Sequence, residues 1–520
     1  MEPTSFIVTL PPPTPNGGLH VGHMSGPFLA GDVFARALRL QGAPCFVSCY
    51  SDIHQSYVRV TAQRQNRSPE ELSQFWSEEI HKTLTQYNVS VDDYFVPEQE
   101  SKNFVRGIFH RLYEDSVLIK KKMPFFRMKN DKVWLDEAGV SGFCPSCMAG
   151  CKCGICEACG NLTNAETLIE PRVTNTPEAE LELGYHEVLT LELERFKPQL
   201  QEFYQNNPRF RQRYRWLTED VLREDLPAFP VTVPGTWGIA FEHPDFPRQV
   251  INAWPELMAQ LLYSYQRAIH QDDSLGTFPV PVNFFGFDNS YFYALVHAAL
   301  LTQIEQGRWL PWSTVINEFY NLDHAKFSTS NNHVIWASDL AERYPVDAIR
   351  FYAAFNAPGF EKSNFNEADM RNVLERTLYA HWSQIAQTWN ICITGENLTI
   401  TVSGETTQTG EAIRHRILTS FSPERFHLRQ AAEDILHLLS YIEHLLSKGN
   451  QLSDAGELLV YFAQAAVPLM PESSQNLYAL LTGKDLIGLE APHVLHLQHL
   501  PESFHQLSCK EATSREEVIV

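Results

Sequence analysis

Residues 14–24 read TPNGGLHVGHM and follow the apolar run FIVTL at 6–10 and three prolines. FIVTL and a second β-prone run, CFVSCY at 45–50, flank a segment whose apolar residues Phe28, Leu29, Val33, Phe34, Ala37 and Leu38 recur at helical spacing. Strand, helix and strand in that order predict the first crossover of a parallel sheet. TPNGGLHVGHM then lies at the carboxyl end of a strand and opens a helix, which is where open α/β sheets hold their ligands. His20 and His23, three residues apart with Gly22 between them, suit the phosphates of a nucleotide there. Taken alone the stretch is equally a Gly/Pro turn that carries two polar rings, so the rest of the chain has to decide.

A chain of 520 residues exceeds what one core usually covers, so a large domain with smaller companions is expected. Its longest apolar run, LLVYFAQAAVPLM at 458–470, is broken by Gln464 and Pro468 and reads as a core helix, not a membrane span. The opening MEPTSFIVTL carries an acid and no basic segment, unlike a secretory signal, so a cytoplasmic location is expected. The ten cysteines are then expected as reduced thiols or metal ligands. With 41 basic against 62 acidic residues the net charge is −21, so an RNA partner would need a local basic patch.

Ser68-Pro69-Glu70-Glu71 predicts a helix start, continued by Leu72, Phe75, Trp76, Ile80 and Leu84. VNFFGF at 282–287 predicts a buried strand, followed by a helical run through Tyr291, Leu295 and Leu300. From about 368 the pattern is mostly helical, with GENLTITVSGETTQTGE at 395–411 expected as an exposed loop or hairpin. The fold class expected is α/β: a Rossmann-type parallel sheet with a zinc-knuckle insertion, followed by an all-α domain. The boundaries expected are 1–115 and 236–367 for the two halves of the sheet domain, 116–235 for the insertion and 368–520 for the helical domain.

Two constellations carry chemistry. FCPSCMAGCKCGICEACG contains Cys144-x2-Cys147 and Cys156-x2-Cys159, two knuckles able to give one Zn²⁺ four thiolates. Four thiolates leave no open position for water, so the metal would be structural; Cys151 and Cys153 are spare thiols or alternative ligands. In HAKFSTSNNHVIW at 324–336, Lys326 stands beside the hydroxyls of Ser328, Thr329 and Ser330. A cation with several donors suits nucleotide phosphates, although the bare pattern is also that of a solvated loop.

The order of these features resembles the class I aminoacyl-tRNA synthetases, and among them the methionyl-tRNA synthetases, over roughly residues 1–390. The resemblance implies that His20 and His23 contact ATP phosphates, with Asn16, Gly18 and Gly22 in the same nucleotide-binding loop. It implies that Gly286 and Asp288 hold the ribose, and that Lys326, Ser328, Thr329 and Ser330 form the mobile second loop. Asp52, in CYSDIHQS, matches the aspartate that pairs with the substrate's α-ammonium. Attack of a carboxylate on the α-phosphate would give aminoacyl-AMP and pyrophosphate, with Mg²⁺ accompanying ATP.

The departures are specific. Thr329 stands where the family's second loop has a lysine, and Phe287 replaces the lysine of its Gly-Lys-Asp segment. In the side-chain pocket Thr14 takes the place of an aromatic, and Val250-Ile251-Asn252-Ala253-Trp254-Pro255 takes that of Val-Trp-x-Asp-Ala-Pro. Trp254 thus replaces a small alanine, Met258 a tyrosine and Tyr293 a histidine. Volume added to a pocket wall excludes a long side chain, because overpacking costs about 1–3 kcal/mol. The positions that read an anticodon fall on Gln384 and Thr388, and from 390 onward eight basic residues face sixteen acidic ones, a net of −8. The cluster Arg414, Arg416, Arg425 and Arg429 reads as a solvated helix face. The expectation is a ligase that adenylates an amino acid other than methionine, possibly a smaller one, and transfers it to a non-tRNA acceptor. Methionyl-tRNA-synthetase-like proteins that join an amino acid to an N-hydroxylated amino acid, usually with a cupin partner, are the precedent; a cupin partner here would be a separate chain. The alternatives are a divergent methionine–tRNA ligase and an inactive regulatory or RNA-binding relative.

Overall fold

The computed structural model describes residues 5–130, 132–327, 333–393, 398–449 and 451–508. Contacts within the chain divide it into two compact units. The first comprises residues 1–19, 44–83 and 91–318, the second residues 20–43, 84–90 and 319–520.

The first unit is built on five parallel strands in the order Ser313–Asn317, Val280–Gly286, Phe6–Thr9, Cys45–Tyr50 and Asp93–Phe95. Phe6–Thr9 and Cys45–Tyr50 are buried at every position, as strands covered on both faces must be, and this makes them near-continuous apolar runs. Phe6–Thr9 pairs with Cys45–Tyr50 on one side and with Val280–Gly286 on the other, so the strand order reverses there. The carboxyl ends of those neighbouring strands lead into the segment 14–19 and into Gly286–Asp288. Ser68 begins the helix Pro69–Gln86, its Oγ accepting from the Glu71 N–H at 3.1 Å.

The insertion also belongs to this unit. Ile119–Met128, Leu181–Glu192 and Ala228–Pro230 form one antiparallel sheet, and Gly150–Lys152, Val140–Phe143 and Ile169–Val173 form a second that carries the knuckles.

In the second unit the chain turns helical at Val21, passes a π-type turn at Met24–Phe28 and continues as the α-helix Leu29–Leu40. Pro27 lacks the N–H that a regular turn needs, and Gly26 leaves helical geometry (φ −95°, ψ −120°). Asp32 is the hub of the unit: it accepts from Arg350 Nη2 at 2.6 Å, Arg36 Nε at 2.9 Å and the Ser90 backbone N–H at 2.7 Å. Burial alone would raise its carboxyl, but the Arg36 and Arg350 guanidiniums outweigh this and hold it at about 2.

Helices Glu367–Arg376, Leu378–Cys392, Thr407–Thr419, Leu428–Ser447, Leu452–Ala466 and Pro471–Thr482 follow, as the helical periodicity from 368 predicts. Every residue of 455–466 is buried, so the apolar run at 458–470 begins in a core helix, and among the described residues no helix is long and apolar enough to cross a membrane. The expected loop or hairpin at 395–411 is corrected: Leu398–Thr401 pairs antiparallel with Val494–Leu497, and residues from Thr407 already belong to a helix. Residues 394–397 lie outside the described ones.

Candidate active site

His20 ends the extended segment and is the N-cap of the helical stretch (φ −99°, ψ 168°). The two histidines form a capping box on each other's backbone: His23 N–H donates to His20 Nδ1 at 3.3 Å, and His20 N–H donates to His23 Nδ1 at 3.2 Å. Because each Nδ1 accepts, each neutral ring carries its proton on Nε2, which leaves two N–H donors for a ligand. The rings stack on one another at 3.7 Å, and His20 stacks on Phe327 at 4.4 Å. Burial, then the proximity of His23 and Lys326, depresses His20 to about 2. His23, exposed on one side, is lowered in the same direction by the protein around it. Both rings are therefore neutral donors at physiological pH. Gly22 suits this packing, since a Cβ there would lie 3.1 Å from both the His20 and the Phe327 rings and would push them apart.

Lys326 belongs to the same unit, on the short strand Ala325–Lys326 next to Tyr320–Leu322. Tyr320–Leu322 pairs on its other edge with Ser363–Phe365, and Lys362 just before that strand reaches Phe319. The Nζ atoms of Lys326 and Lys362 each stand 5.8 Å from the Phe319 ring centroid. Sequence reading missed Lys362, because only strand pairing brings it to the Lys326 side. Ser328, Thr329 and Ser330 lie outside the described residues.

In the first unit Asp52 is buried, and its N–H donates to Pro13 O at 3.0 Å. Burial, followed by the charge of Glu256, holds its carboxyl well above the usual carboxylate range. Glu256, from the buried side of the helix Ala253–Gln271, accepts from His54 Nδ1 at 2.6 Å through Oε1, while its buried Oε2 has no partner among the described residues. Asp52 and Glu256 are thus two buried acidic groups that influence each other, one of them with an open acceptor, and such a pair suits a positive group. Glu256 and His54 were not legible in the sequence, because a lone Glu and a lone His between apolar positions signal nothing.

Trp254 stacks on Phe292 at 3.6 Å and 11° and donates from Nε1 to Glu137 Oε2 at 3.0 Å. Desolvation raises Glu137 to about 7. Tyr293 stacks on Phe285 at 3.9 Å, and His297 Nε2 donates to Trp254 O at 2.8 Å. Met258, Tyr293, His297, Tyr214 and Tyr265 surround a residual space of about 10 Å³, no more than one water-sized probe. Ile251 is buried on the strand Gln249–Ile251, and Thr14 is half-buried on the loop after Phe6–Thr9. Asn16 and Gly18 are half-buried on the same loop.

Gly286 ends its strand, where a Cβ would meet Asp288 Oδ1 at 2.6 Å, so glycine lets that carboxylate fold back beside the strand end. Phe287, in the place of a lysine, is buried; Gly160 of the knuckle packs on its ring, and the Arg213 guanidinium lies 4.2 Å from its centroid.

Cys144, Cys147, Cys156 and Cys159 bring their sulfurs within 4.8 Å of one another. Cys144–Cys159 at 3.7 Å and Cys147–Cys156 at 3.5 Å match the edge of about 3.8 Å that tetrahedral Zn–S bonds of about 2.3 Å require. The Ser146 N–H and Asn161 Nδ2 donate to Cys144 and Cys159, orienting the ligands. Cys151 and Cys153 stay outside this set and pack beside Phe126, Val140 and Leu168. Metal analysis is therefore expected to find one zinc per chain, lost in Cys144→Ser and retained in Cys151→Ser and Cys153→Ser. Loss of zinc in either of the latter two would break the four-thiolate assignment.

With this geometry in hand, the family model for class I (M) tRNA synthetases matches residues 6–388. The chain belongs to that family. The methionine–tRNA ligase of Roseiflexus sp. (strain RS-1) is 29% identical over 408 residues, which cover 74% of this chain and 68% of that protein. The ligase of Pyrococcus horikoshii is 26% identical over 397 residues, 72% of this chain and 54% of the other. Among solved structures, Mycobacterium tuberculosis methionyl-tRNA synthetase bound by methionyl-adenylate superposes with a TM-score of 0.75 at 16% identity, covering 96% of this chain and all of that one. A second structure of that enzyme gives 0.72. The fold is thus that of a methionyl-tRNA-synthetase-like protein: a parallel Rossmann-type sheet, a four-cysteine knuckle and a helical C-terminal region.

Proposed function

We propose that this protein adenylates an α-amino acid smaller than methionine and passes the acyl group to an acceptor other than tRNA. The reading is carried chiefly by the pocket around Met258 and Tyr293, where the remaining space is about 10 Å³. A methionine side chain would have to displace stacked aromatic rings there.

In this reading Asp52, with Glu256 behind it, takes the substrate's ammonium. The carboxylate attacks the α-phosphorus of ATP, the bond from that phosphorus to its bridging oxygen breaks, and pyrophosphate leaves. Neutral imidazoles that donate from Nε2 stabilise the added charge without having to lose a proton. Asn16, Gly18 and Gly22 shape the nucleotide loop, Gly286 and Asp288 take the ribose, and Lys326 faces the phosphates. Lys362 supplies part of the charge missing at Thr329. Ser328 and Ser330 would contribute hydroxyls, Mg²⁺ would accompany ATP, and Zn²⁺ would brace the knuckle.

The non-tRNA acceptor is supported by the helix Leu378–Cys392, where the exposed Gln384 bonds its neighbour Thr388 at 3.3 Å and presents no guanidinium. Three of the four clustered arginines are also engaged within the protein: Arg414 bonds Leu489 O at 2.8 Å, Arg416 pairs with Asp434 at 2.7 Å and Arg429 with Glu361 at 3.3 Å. An acylation assay with bulk tRNA tests this part. No charging is expected alongside intact adenylation, and stoichiometric charging with methionine would restore the ligase reading.

Amino-acid binding should also release a proton. The free-state carboxyl of Asp52 is raised, and an ammonium would bring it down, so binding requires the ionised form. Affinity is expected to rise with pH through the acidic range by up to about tenfold per unit, and calorimetry in two buffers should register proton release that Asp52→Asn abolishes. A flat profile would place the ammonium elsewhere. For folding the sign is opposite: the stabilising contribution of protonated Asp52 is complete below its unfolded value of about 3.9 and is lost as pH rises through the folded one.

A further inference from the structure

A cavity of about 440 Å³ lies within the first unit, between the insertion and the helix start at Asn252–Ala253. Asp52, Trp254, Met258 and Tyr293 do not line it, but Val250, Ile251 and Phe292 do, so it adjoins the pocket assigned to the activated amino acid. Its walls include the aromatic rings of Phe125, Phe229, Trp237 and Phe292, and its polar groups include Glu137 and Gln55. Glu137 pairs with no cation among the described residues; its Oε2 accepts only the Trp254 N–H. Gln55 is buried to 3% exposure, yet its Oε1 has no partner among the described residues. The same side chain acts on the Asp52 carboxyl, lowering it against the effect of burial, so Gln55 links the cavity to the ammonium anchor. Lys121 and Lys122 also line the cavity, but Lys121 pairs with Glu192 at 3.1 Å and Lys122 stands 5.8 Å from the Tyr185 ring centroid, so apolar walls with two open acceptors suit a ligand that has an aliphatic body and a donor-rich, cationic head.

Resting on the function proposed above, we infer that this cavity holds the acyl acceptor, a small primary amine whose ammonium is bound by the Glu137 carboxylate and Gln55 Oε1. The ammonium gives one proton to Glu137. The free amine nitrogen then attacks the acyl carbonyl carbon, the bond from that carbon to the adenylate oxygen breaks, AMP leaves with the electron pair, and the new amide nitrogen sheds its second proton to solvent. The product is an amide.

The full-length enzyme with its preferred amino acid, ATP and Mg²⁺ tests this with putrescine, ethanolamine and L-lysine as probes. At least one is expected to accelerate AMP release tenfold or more with saturation, which distinguishes a bound amine from aminolysis in solution. Ala165→Trp, in a turn of the insertion, and Ala228→Phe, on the strand Ala228–Pro230, both lining the cavity, should abolish that saturation while pyrophosphate exchange continues at the wild-type rate, the exchange serving also as the check on folding. Glu137→Gln should lower kcat of transfer more than tenfold and remove the acidic limb of its pH profile. Saturable acceleration that survives both cavity-filling variants overturns the inference, as does the absence of acceleration by any of the three amines with exchange intact. Loss of exchange in the wild-type enzyme, or charging of tRNA, would instead count against the proposed function.

Discussion

Asp52→Asn is expected to lower kcat/KM for amino-acid activation a hundredfold to a thousandfold, about 3–4 kcal/mol, while raising thermal stability. The loss follows from removing the charged partner of an ammonium in a buried site, where truncating one side of a pair costs about 2–5 kcal/mol. The gain follows because burial and the charge of Glu256 raise the Asp52 carboxyl, so folding at neutral pH has to work against that repulsion until the substrate arrives. Asn keeps the shape and relieves that repulsion, so activity and stability should move in opposite directions, as they do where a site is held in a strained charge state. Glu256→Gln is the companion measurement. A smaller loss of activation is expected from it, and if it proved the more damaging, Glu256 would be the anchor and Asp52 its support.

The second large effect concerns the paired imidazoles. His23→Ala should reduce kcat for pyrophosphate exchange by about 10²–10³-fold, the range for removing one preorganised donor from a developing charge, with little change in the amino-acid KM. His20→Ala should do the same and also destabilise the fold by about 1 kcal/mol, because His20 is the N-cap as well as a donor and a stacking partner of Phe327. His23→Asn retains a donor and should recover part of the rate. Since His20 is held at about 2 and His23 is lowered as well, the exchange rate should show no imidazole titration between about pH 6 and pH 8. An inflection there that disappears in His23→Asn would mean that a protonated ring does the work.

Much of this was legible in the chain because the decisive elements are local. FIVT and CFVSCY are strands buried on both faces and so read as unbroken apolar runs. The knuckle spacing reports its own geometry, and the four sulfurs converge as that spacing requires. What was not legible depends on distant partners. Asp93–Phe95 is too short to show a period. Leu398–Thr401 becomes a strand only through pairing with Val494–Leu497, nearly a hundred residues later, so its Gly/Thr-rich surroundings read as a loop. The π-type turn at Met24–Phe28 was hidden because Pro27 sits in an otherwise helical pattern.

In the site the contrast is the same. Asp52 could be placed by resemblance, but Glu256, His54 and Glu137 acquire meaning only when folding buries them beside Asp52 and Trp254. Trp254 itself was expected in a pocket wall; the structure shows it buried, stacked on Phe292 and tied to Glu137, a contact that links helix start and insertion across 117 positions of sequence.

Pyrophosphate exchange with each of the twenty amino acids, supplied singly with ATP and Mg²⁺, tests the central claim most directly. The account predicts strong exchange with an amino acid smaller than methionine and at least a hundredfold less with methionine. Exchange confined to methionine would contradict it and would place the substrate side chain elsewhere than the space beside Met258 and Tyr293.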